Sequence, residues 1–597
     1  MITANYKYEI EKTKDDYDIL KILKDDKNIF VGSKYNMQKT IDDFLNKLYE
    51  QKEINKKIIF IFGFGMGLHI KKICSKYPKT RVIVFEPNEA LSEYVSQIDW
   101  INDYKRLTVL CSEKEHLIKF LDDELSNFNI DKMSVNYFAN YNKIYENEFS
   151  EIIKIIKDVL WKNQIDINTS MSYSKKWFDT LASNFKYIAN GIPATVLRDK
   201  YKGKPAIIVS AGPSLEKNID ELKRVQDDFF IIVGGRTLRS VLDKGIMPSA
   251  IVNVDPSERN YNLVRGYIEE TNIPLVFYEG TNEKIVCNHN GMKIFFTQKS
   301  FIKDIAEVEM NNYTFGGSVA HISTAFAYDM GCSPIIFIGQ DLAYTNDQMY
   351  SNISTDLGNP NTLKAPKENG NNIWVEGMNN DKLRTDPVMY GFKQSMENYV
   401  ELTKGNTLYI NATEHGARIN GTLEMPLKEV IEVYGGNKIT PLDKIELDYK
   451  VDIKKNALNM LQDSKKSAKA IIDFCQDACK NVEILEKYYD NKNLKKVDNI
   501  LLELNKLDNK IENEYSKLEM TESLIYPLVY DAMTSMYEVN FYENEIEEKK
   551  SDIISNNRRF YLNLSASLKY VLKKLQMIEN ELNGKTELEA LINTLNL

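Results

Sequence analysis

The constraint that narrows the fold most is a series of short, unbroken apolar runs, each closed by glycine or polar residues and followed by a stretch of helical spacing. Five of them fall between residues 186 and 440: Ala206 to Val209, Phe229 to Val233, Ala250 to Val254, Leu275 to Tyr278 and Pro334 to Ile338. A strand buried on both faces needs no alternation of polar and apolar residues, so such runs predict a parallel sheet covered by helices on both sides. Ligands of such sheets bind outside the carboxyl ends of the strands, which makes the residues after each run the ones to inspect. Ile58 to Phe62 is a further run, ending in Gly63-Phe64-Gly65-Met66-Gly67. A helix from Leu68 to Tyr77 and a second β-branched run, Arg81 to Phe85, come next. Strand, glycine turn, helix and strand make one right-handed βαβ unit. From about residue 441 onward only Pro441 and Pro527 interrupt a stretch rich in Lys, Glu, Asn and Leu, with helical spacing as in Val497, Leu501 and Leu504. The expected fold class is therefore α/β in three parts: a Rossmann-like domain over 1–185, a central parallel-sheet α/β domain over 186–440 and a helical bundle over 441–597.

Composition removes several function classes. A formal net charge of −9 over 597 residues leaves no basic footprint for a nucleic-acid partner. The six cysteines, at 74, 111, 287, 332, 475 and 479, form no Cys-x-x-Cys pair, so a reducing compartment fits better than a metal site or a disulfide framework. The opening residues carry mixed charge rather than an apolar signal core, and Ile58 to Ile70 is shorter than the ~20 residues a membrane helix needs. A cytoplasmic protein with no membrane partner is expected.

The strand ends carry the chemistry. Ala206 to Val209 leads into Ser210-Ala211-Gly212-Pro213-Ser214-Leu215. Gly212 admits close backbone approach, Pro213 fixes the turn, and Ser214 is placed to cap a helix whose first amides point outward. Such a helix start suits the phosphate or pyrophosphate of a nucleotide, a plain capped turn being the alternative. The next run closes on Gly234-Gly235-Arg236-Thr237, where Arg236 is suited to a bidentate phosphate contact, and the one after it on Asp255, suited to a ribose or sugar hydroxyl. Gly316, Gly317 and Ser318 make a second anion-friendly helix start. His321 lies inside that helix and reads as a satisfied core histidine. Gln340 and Asp341 stand where a strand delivers catalytic or sugar-binding groups.

The order of these pieces resembles a known family. Ile-Ile-Val-Ser-Ala-Gly-Pro-Ser-Leu at 207–215, Ala-Ile-Val-Asn-Val-Asp-Pro at 250–256, Gly-Gly-Ser-Val-Ala-His at 316–321, Ile-Gly-Gln-Asp-Leu-Ala-Tyr at 338–344 and Asn-Ala-Thr-Glu-His-Gly-Ala at 411–417 look like the motility-associated factor (Maf) flagellin glycosyltransferases. Their central domain is in turn similar to bacterial sialyltransferases that use CMP-activated nonulosonic acids. The resemblance implies a CMP-linked donor of pseudaminic or legionaminic type, flagellin Ser or Thr as acceptor, and no separate cofactor. It implies a donor turn at Gly212, Pro213 and Ser214, a nucleotide contact at Asp255, a second nucleotide-side loop at Gly316, Gly317 and Ser318, and support of the leaving phosphate by Tyr350. The helical tail is then either a flagellin-binding surface or a surface for self-association.

One departure stands out. The sialyltransferase pattern draws a general-base His from a lid before the last strand, and residues 351–410 contain no His. Asp341, Glu376 and Asp386 are the candidate bases, with Asp341 favoured for its place at a strand end. The expected reaction is an inverting, metal-independent displacement at the anomeric carbon, since the middle third has no Asp-x-Asp cluster to hold a divalent ion. Three other readings remain. Gly63 to Gly67 with Glu86 resembles the cofactor turn of class I methyltransferases. The Gly-Pro-Ser-Leu domain is also similar to archaeal pterin pyrophosphokinases. A non-catalytic flagellin-binding factor is the third.

Overall fold

The structure, a computed structural model, describes residues 2–50, 58–78, 80–111, 113–125, 133–311, 313, 316–354, 364–367, 373–491, 494–538 and 546–585. The chain packs as two compact units, one of Met1–Ser174 with Tyr526–Asn556, the other of Lys175–Ile525 with Asn557–Leu597.

The first unit begins with an antiparallel meander, β1 (Tyr8–Lys12), β2 (Asp18–Lys24) and β3 (Lys27–Phe30). A parallel sheet follows, made of β4 (Ile58–Phe62), β5 (Arg81–Phe85), β6 (Leu107–Leu110) and β7 (Met133–Tyr137) in the order β6-β5-β4-β7. Every residue of β4 is buried, as a strand covered on both faces requires. The glycine cluster turns it into the helix Leu68–Lys76, which gives the expected βαβ unit.

The second unit is built on nine strands: β8 (Ile192–Pro193), β9 (Ala206–Val209), β10 (Phe230–Gly234), β11 (Ala250–Val252), β12 (Leu275–Phe277), β13 (Lys293–Phe295), β14 (Ile335–Ile338), then β17 (Tyr409–Asn411) and β18 (Leu423–Glu424), with a separate hairpin of β15 (Ile373–Glu376) and β16 (Lys382–Thr385) between them. Their order is β18-β17-β14-β9-β10-β11-β12-β13-β8, and every pairing in the sheet is parallel. From β9 the chain runs one way to β13, then crosses back to lay β14 on the other side of β9. The boundary between β9 and β14 is thus a topological switch point, where the connections leave in opposite directions and open a crevice.

Of the helical tail, residues up to Ile525 and from Asn557 onward belong to this same unit, and Tyr526–Asn556 to the first. Helices Ile453–Asp490 and Leu494–Tyr515 pack along one another, with Ser467 donating to Glu514 at 2.6 Å. Asn456 ties the first to the sheet domain by donating to the Ile305 carbonyl at 3.0 Å. No helix of the described residues is long and apolar enough to cross a membrane.

Candidate functional site

A cleft of about 660 Å³ opens outside the carboxyl ends of β9, β10, β11 and β14. Each element contributes the residues that follow its last apolar position: Ser210 to Gly212 after β9, Gly234 to Thr237 after β10, Asp255 after β11 and Gly339 to Leu342 after β14. Ser318 arrives at the start of helix Val319–Asp329, and Asp386 to Met389 at the start of helix Pro387–Thr403. Of the expected site residues, Gly212, Gly235, Arg236, Asp255, Ser318, Gln340, Asp341 and Tyr350 therefore share one cavity.

Asp341 is the anchor of the floor. Its side chain is 2% exposed. The carboxylate accepts the Ser214 hydroxyl at 2.5 Å, the Ser214 amide at 3.2 Å and the Thr345 hydroxyl at 2.9 Å. Burial raises its pKa above the ordinary carboxylate value, and the bonds from Ser214 and Thr345 hold that rise in check. A Cβ at Gly212 would stand 2.5 Å from the Gly339 carbonyl oxygen and still nearer the Asp341 carboxylate, so only glycine fits there.

Two expectations about this turn need correction. Ser214 does not cap the helix Leu215–Val225, because its hydroxyl is turned to Asp341. Nor do the amides of Gly212 and Ser214 face outward: Gly212 donates to the Gly339 carbonyl at 2.8 Å and Ser214 to Asp341. The turn is braced from behind, and what it offers the cleft is its compactness. Pro213 and Ser214 stand behind the wall rather than in the lining, Ser214 being 1% exposed.

The second glycine turn behaves differently. Gly316 and Gly317 both have positive φ, and a Cβ on Gly316 would collide with the His321 ring. Ser318 caps its helix, accepting from the Ala320 amide at 3.3 Å and donating its own amide to His321 Nδ1 at 3.2 Å. His321 Nε2 lies 2.9 Å from the Phe392 carbonyl. With Nδ1 accepting, the proton sits on Nε2, and burial lowers the ring's pKa. His321 is the core histidine expected from its position, joining two cleft-lining helices.

Arg236 forms the cationic wall, its guanidinium stacked on the Tyr350 ring at 4.0 Å. Ser210 donates to the Gln340 side-chain carbonyl across the β9–β14 boundary. Asp255 is exposed and accepts the Ser257 amide at 2.7 Å. The other candidate bases are engaged. Asp386 caps the helix Pro387–Thr403 through the Val388 and Met389 amides and accepts the Tyr344 hydroxyl at 2.6 Å. Glu376 is outside the lining, on β15, paired with Arg418 at 2.7 Å.

Thr345 and Asn260 were not singled out from sequence. Thr345 has a faint signal, a hydroxyl four residues past a strand-end Asp. Asn260 was legible only through its neighbour, since it donates to the buried Asn253 at 2.5 Å.

The glycine turn of the first unit is closed. The Tyr141 ring lies where a Cβ on Gly63 would be, 2.5 Å from Cδ2. Tyr141 Oη donates to Glu86 at 2.8 Å and accepts the Gly65 amide at 2.9 Å. Glu86, fully buried, also accepts the amides of Phe64 and Asn88. The cavity left at Gly65 and Met66 is about 10 Å³, room for one water at most. A methyl-donor cofactor therefore has no space at this turn.

A nine-stranded parallel sheet with its cleft at the switch point defines an open α/β class of fold, and the comparisons fall within it. The chain shares its fold with the solved Maf glycosyltransferase from Magnetospirillum magneticum AMB-1, at a TM-score of 0.56 over 99% of this chain and 95% of that one, with 12% identity. The Maf-like architecture read from the sequence motifs is thus present in the fold. Residues 179–347 match the family model described as 6-hydroxymethylpterin diphosphokinase MptE-like. An uncharacterized protein of Treponema pallidum (strain Nichols) is 23% identical over 127 residues, which is 21% of this chain and 60% of that relative.

Proposed function

We propose that the chain is a glycosyltransferase of Maf type, which binds a CMP-activated nonulosonic acid of pseudaminic or legionaminic type in the switch-point cleft and passes the sugar to Ser or Thr of flagellin in the cytoplasm. The observation that carries this reading is the cationic side of the cleft: Arg236 is the one cationic side chain among the described lining residues, which also include Asp255, Asp341 and Asp386. The phosphodiester of such a donor carries one negative charge, which one guanidinium matches, and the nonulosonic acid adds a carboxylate of its own. A nucleoside triphosphate brings several phosphate charges, and its binding sites gather more cations or a metal clamp. The likeness in fold over nearly the whole chain supports the same reading.

In the proposed reaction the acceptor oxygen attacks the anomeric carbon, the bond from that carbon to the phosphate oxygen breaks, CMP departs, and the hydroxyl proton passes to a base. Arg236 meets the phosphate as charge builds on it, where a fixed donor helps most. The transfer inverts the anomeric centre and proceeds in EDTA.

The test is direct. Full-length protein is given CMP-nonulosonic acid with flagellin, or ATP with 6-hydroxymethylpterin, and released CMP, released AMP and the intact mass of flagellin are measured. CMP release with a matching mass gain supports the reading. AMP release instead would assign the cleft to the diphosphokinase chemistry named in the family match, and flagellin binding without either product would leave a binding factor.

A further inference from the structure

The Arg236 guanidinium does not stand alone on its wall. Arg236 is the second residue of helix Gly235–Asp243, and its group lies 4.0 Å from the centre of the Tyr350 ring. That ring comes from the loop after β14, and the loop is pinned at its next residues. Ser351 donates its amide to the Ala211 carbonyl at 2.9 Å and its hydroxyl to Glu216 at 2.9 Å, and Asn352 donates its amide to the same carboxylate at 2.6 Å. Ser240, on the helix that carries Arg236, donates to the Ile353 carbonyl at 2.8 Å. The helix bearing the cation and the loop bearing the ring are therefore fastened to each other, one turn beyond the stack. Stacking uses the face of a guanidinium, whereas its hydrogen-bond donors lie in its plane, so a stacked Arg keeps the orientation that bidentate phosphate binding requires.

We propose that Tyr350 is a positioning residue whose aromatic face, rather than its hydroxyl, holds Arg236 in the plane that receives the donor's phosphate. The proposal rests on the cleft being a nucleotide site. Glu216 and Ser240 belong to the same device, since they fix the loop that presents the ring.

The test uses the full chain and CMP as probe, with ATP titrated in parallel, affinity by calorimetry and thermal melting for every variant. Tyr350→Phe keeps the ring and binds CMP within about twofold of the wild type. Tyr350→Leu loses about tenfold or more, close to the loss in Arg236→Ala, and the double variant is no weaker than Arg236→Ala alone, because the ring acts only through the guanidinium. The split also shows in kinetics, Tyr350→Leu lowering kcat as well as raising KM, as Arg236→Ala does, while Tyr350→Phe leaves both within about twofold. A loss in Tyr350→Phe equal to that in Tyr350→Leu would overturn the proposal in favour of a hydroxyl contact, as would additive losses in the double variant. Failure of the wild type to bind either nucleotide would overturn the nucleotide site itself, and the positioning role with it.

Discussion

The two glycine turns at residues 63–67 and 210–214 look alike from the outside. Each follows a fully buried strand of a parallel sheet and opens a helix. One is plugged and the other borders a cleft of about 660 Å³. At the first, Tyr141 fills the space its glycines leave, and its hydroxyl bridges Glu86 and the Gly65 amide as a bound ligand's would. At the second, Tyr350 lines the cleft with its ring against the Arg236 guanidinium, 4.0 Å from the ring centre, and leaves the cleft open. A glycine turn at a strand end only creates an opportunity for ligand approach; what a distant segment sets in front of it decides whether the opportunity is used.

The sharpest way to break the comparison is to add one methyl group to each turn. Gly212→Ala drives a Cβ into Asp341 and the Gly339 carbonyl, and CMP affinity should fall at least 100-fold. Gly63→Ala meets the Tyr141 ring from a backbone at φ 101°, so the first unit should lose several kcal/mol of stability, about 3 or more, while CMP affinity stays within twofold. Calorimetric titration with melting curves checks both. If Gly63→Ala weakened CMP binding as strongly as Gly212→Ala, the division into one closed and one working turn would be wrong.

Tyr141→Ala sharpens the same contrast. Removing a fully buried ring should cost about 3–5 kcal/mol and leave Glu86 without one of its donors. CMP affinity below the melting temperature should be unchanged. Nucleoside binding newly gained by the variant would show that Tyr141 occupies a ligand's place.

Much of this was legible in the sequence, for a physical reason. Runs such as Ile58 to Phe62 and Ala206 to Val209 are apolar on both faces, and only a doubly covered strand has use for that. β7 escaped because its buried positions are Ser134 and Asn136, which bond to each other, so no hydrophobic signal marks it. β8 is two residues long and contains a proline. Cleft-lining residues were legible wherever a strand end delivered them, as with Arg236 and Asp341. Which of them would be occupied was not legible. Ser214 faces Asp341, and Tyr141 fills the Gly63 turn, through contacts between segments far apart in the chain, and no local pattern encodes those. The separation of Glu376 from the cleft has the same origin, in a hairpin that pairs it with Arg418.

Asp341→Asn separates two roles at the open turn. As an anchor, Asp341 accepts three donors, and the amide can accept at only one of its two atoms. Stability should fall by about 1–2 kcal/mol and donor KM should rise, with kcat within about threefold. A fall in kcat of more than 100-fold at unchanged KM and melting temperature would instead make Asp341 the general base that its strand-end position suggests.

The smallest effect reads the closed turn through pH. Burial raises the Glu86 carboxyl to about 7 from its ordinary value of 4.5, outweighing the hydrogen bonds from Asn88, Tyr141 and Phe64 that favour its charged form. A carboxyl with a raised folded-state pKa binds its proton more tightly in the folded chain. Its contribution to stability is therefore complete below about pH 4.5 and is lost as pH rises through about 7. Between pH 6 and 8 the first unit should lose about 1 kcal/mol from this group alone. Glu86→Gln removes the titration, so its melting temperature should fall less than that of the wild type over the same interval. At the open turn Asp341 is also raised by burial, with Ser214 and Thr345 opposing the rise, so the same profile on Asp341→Asn separates its share of the slope from that of Glu86. A wild-type profile that stayed flat from pH 6 to 8, or one whose slope followed Asp341 instead of Glu86, would mean that the plugged turn is less tightly sealed than its hydrogen bonds imply.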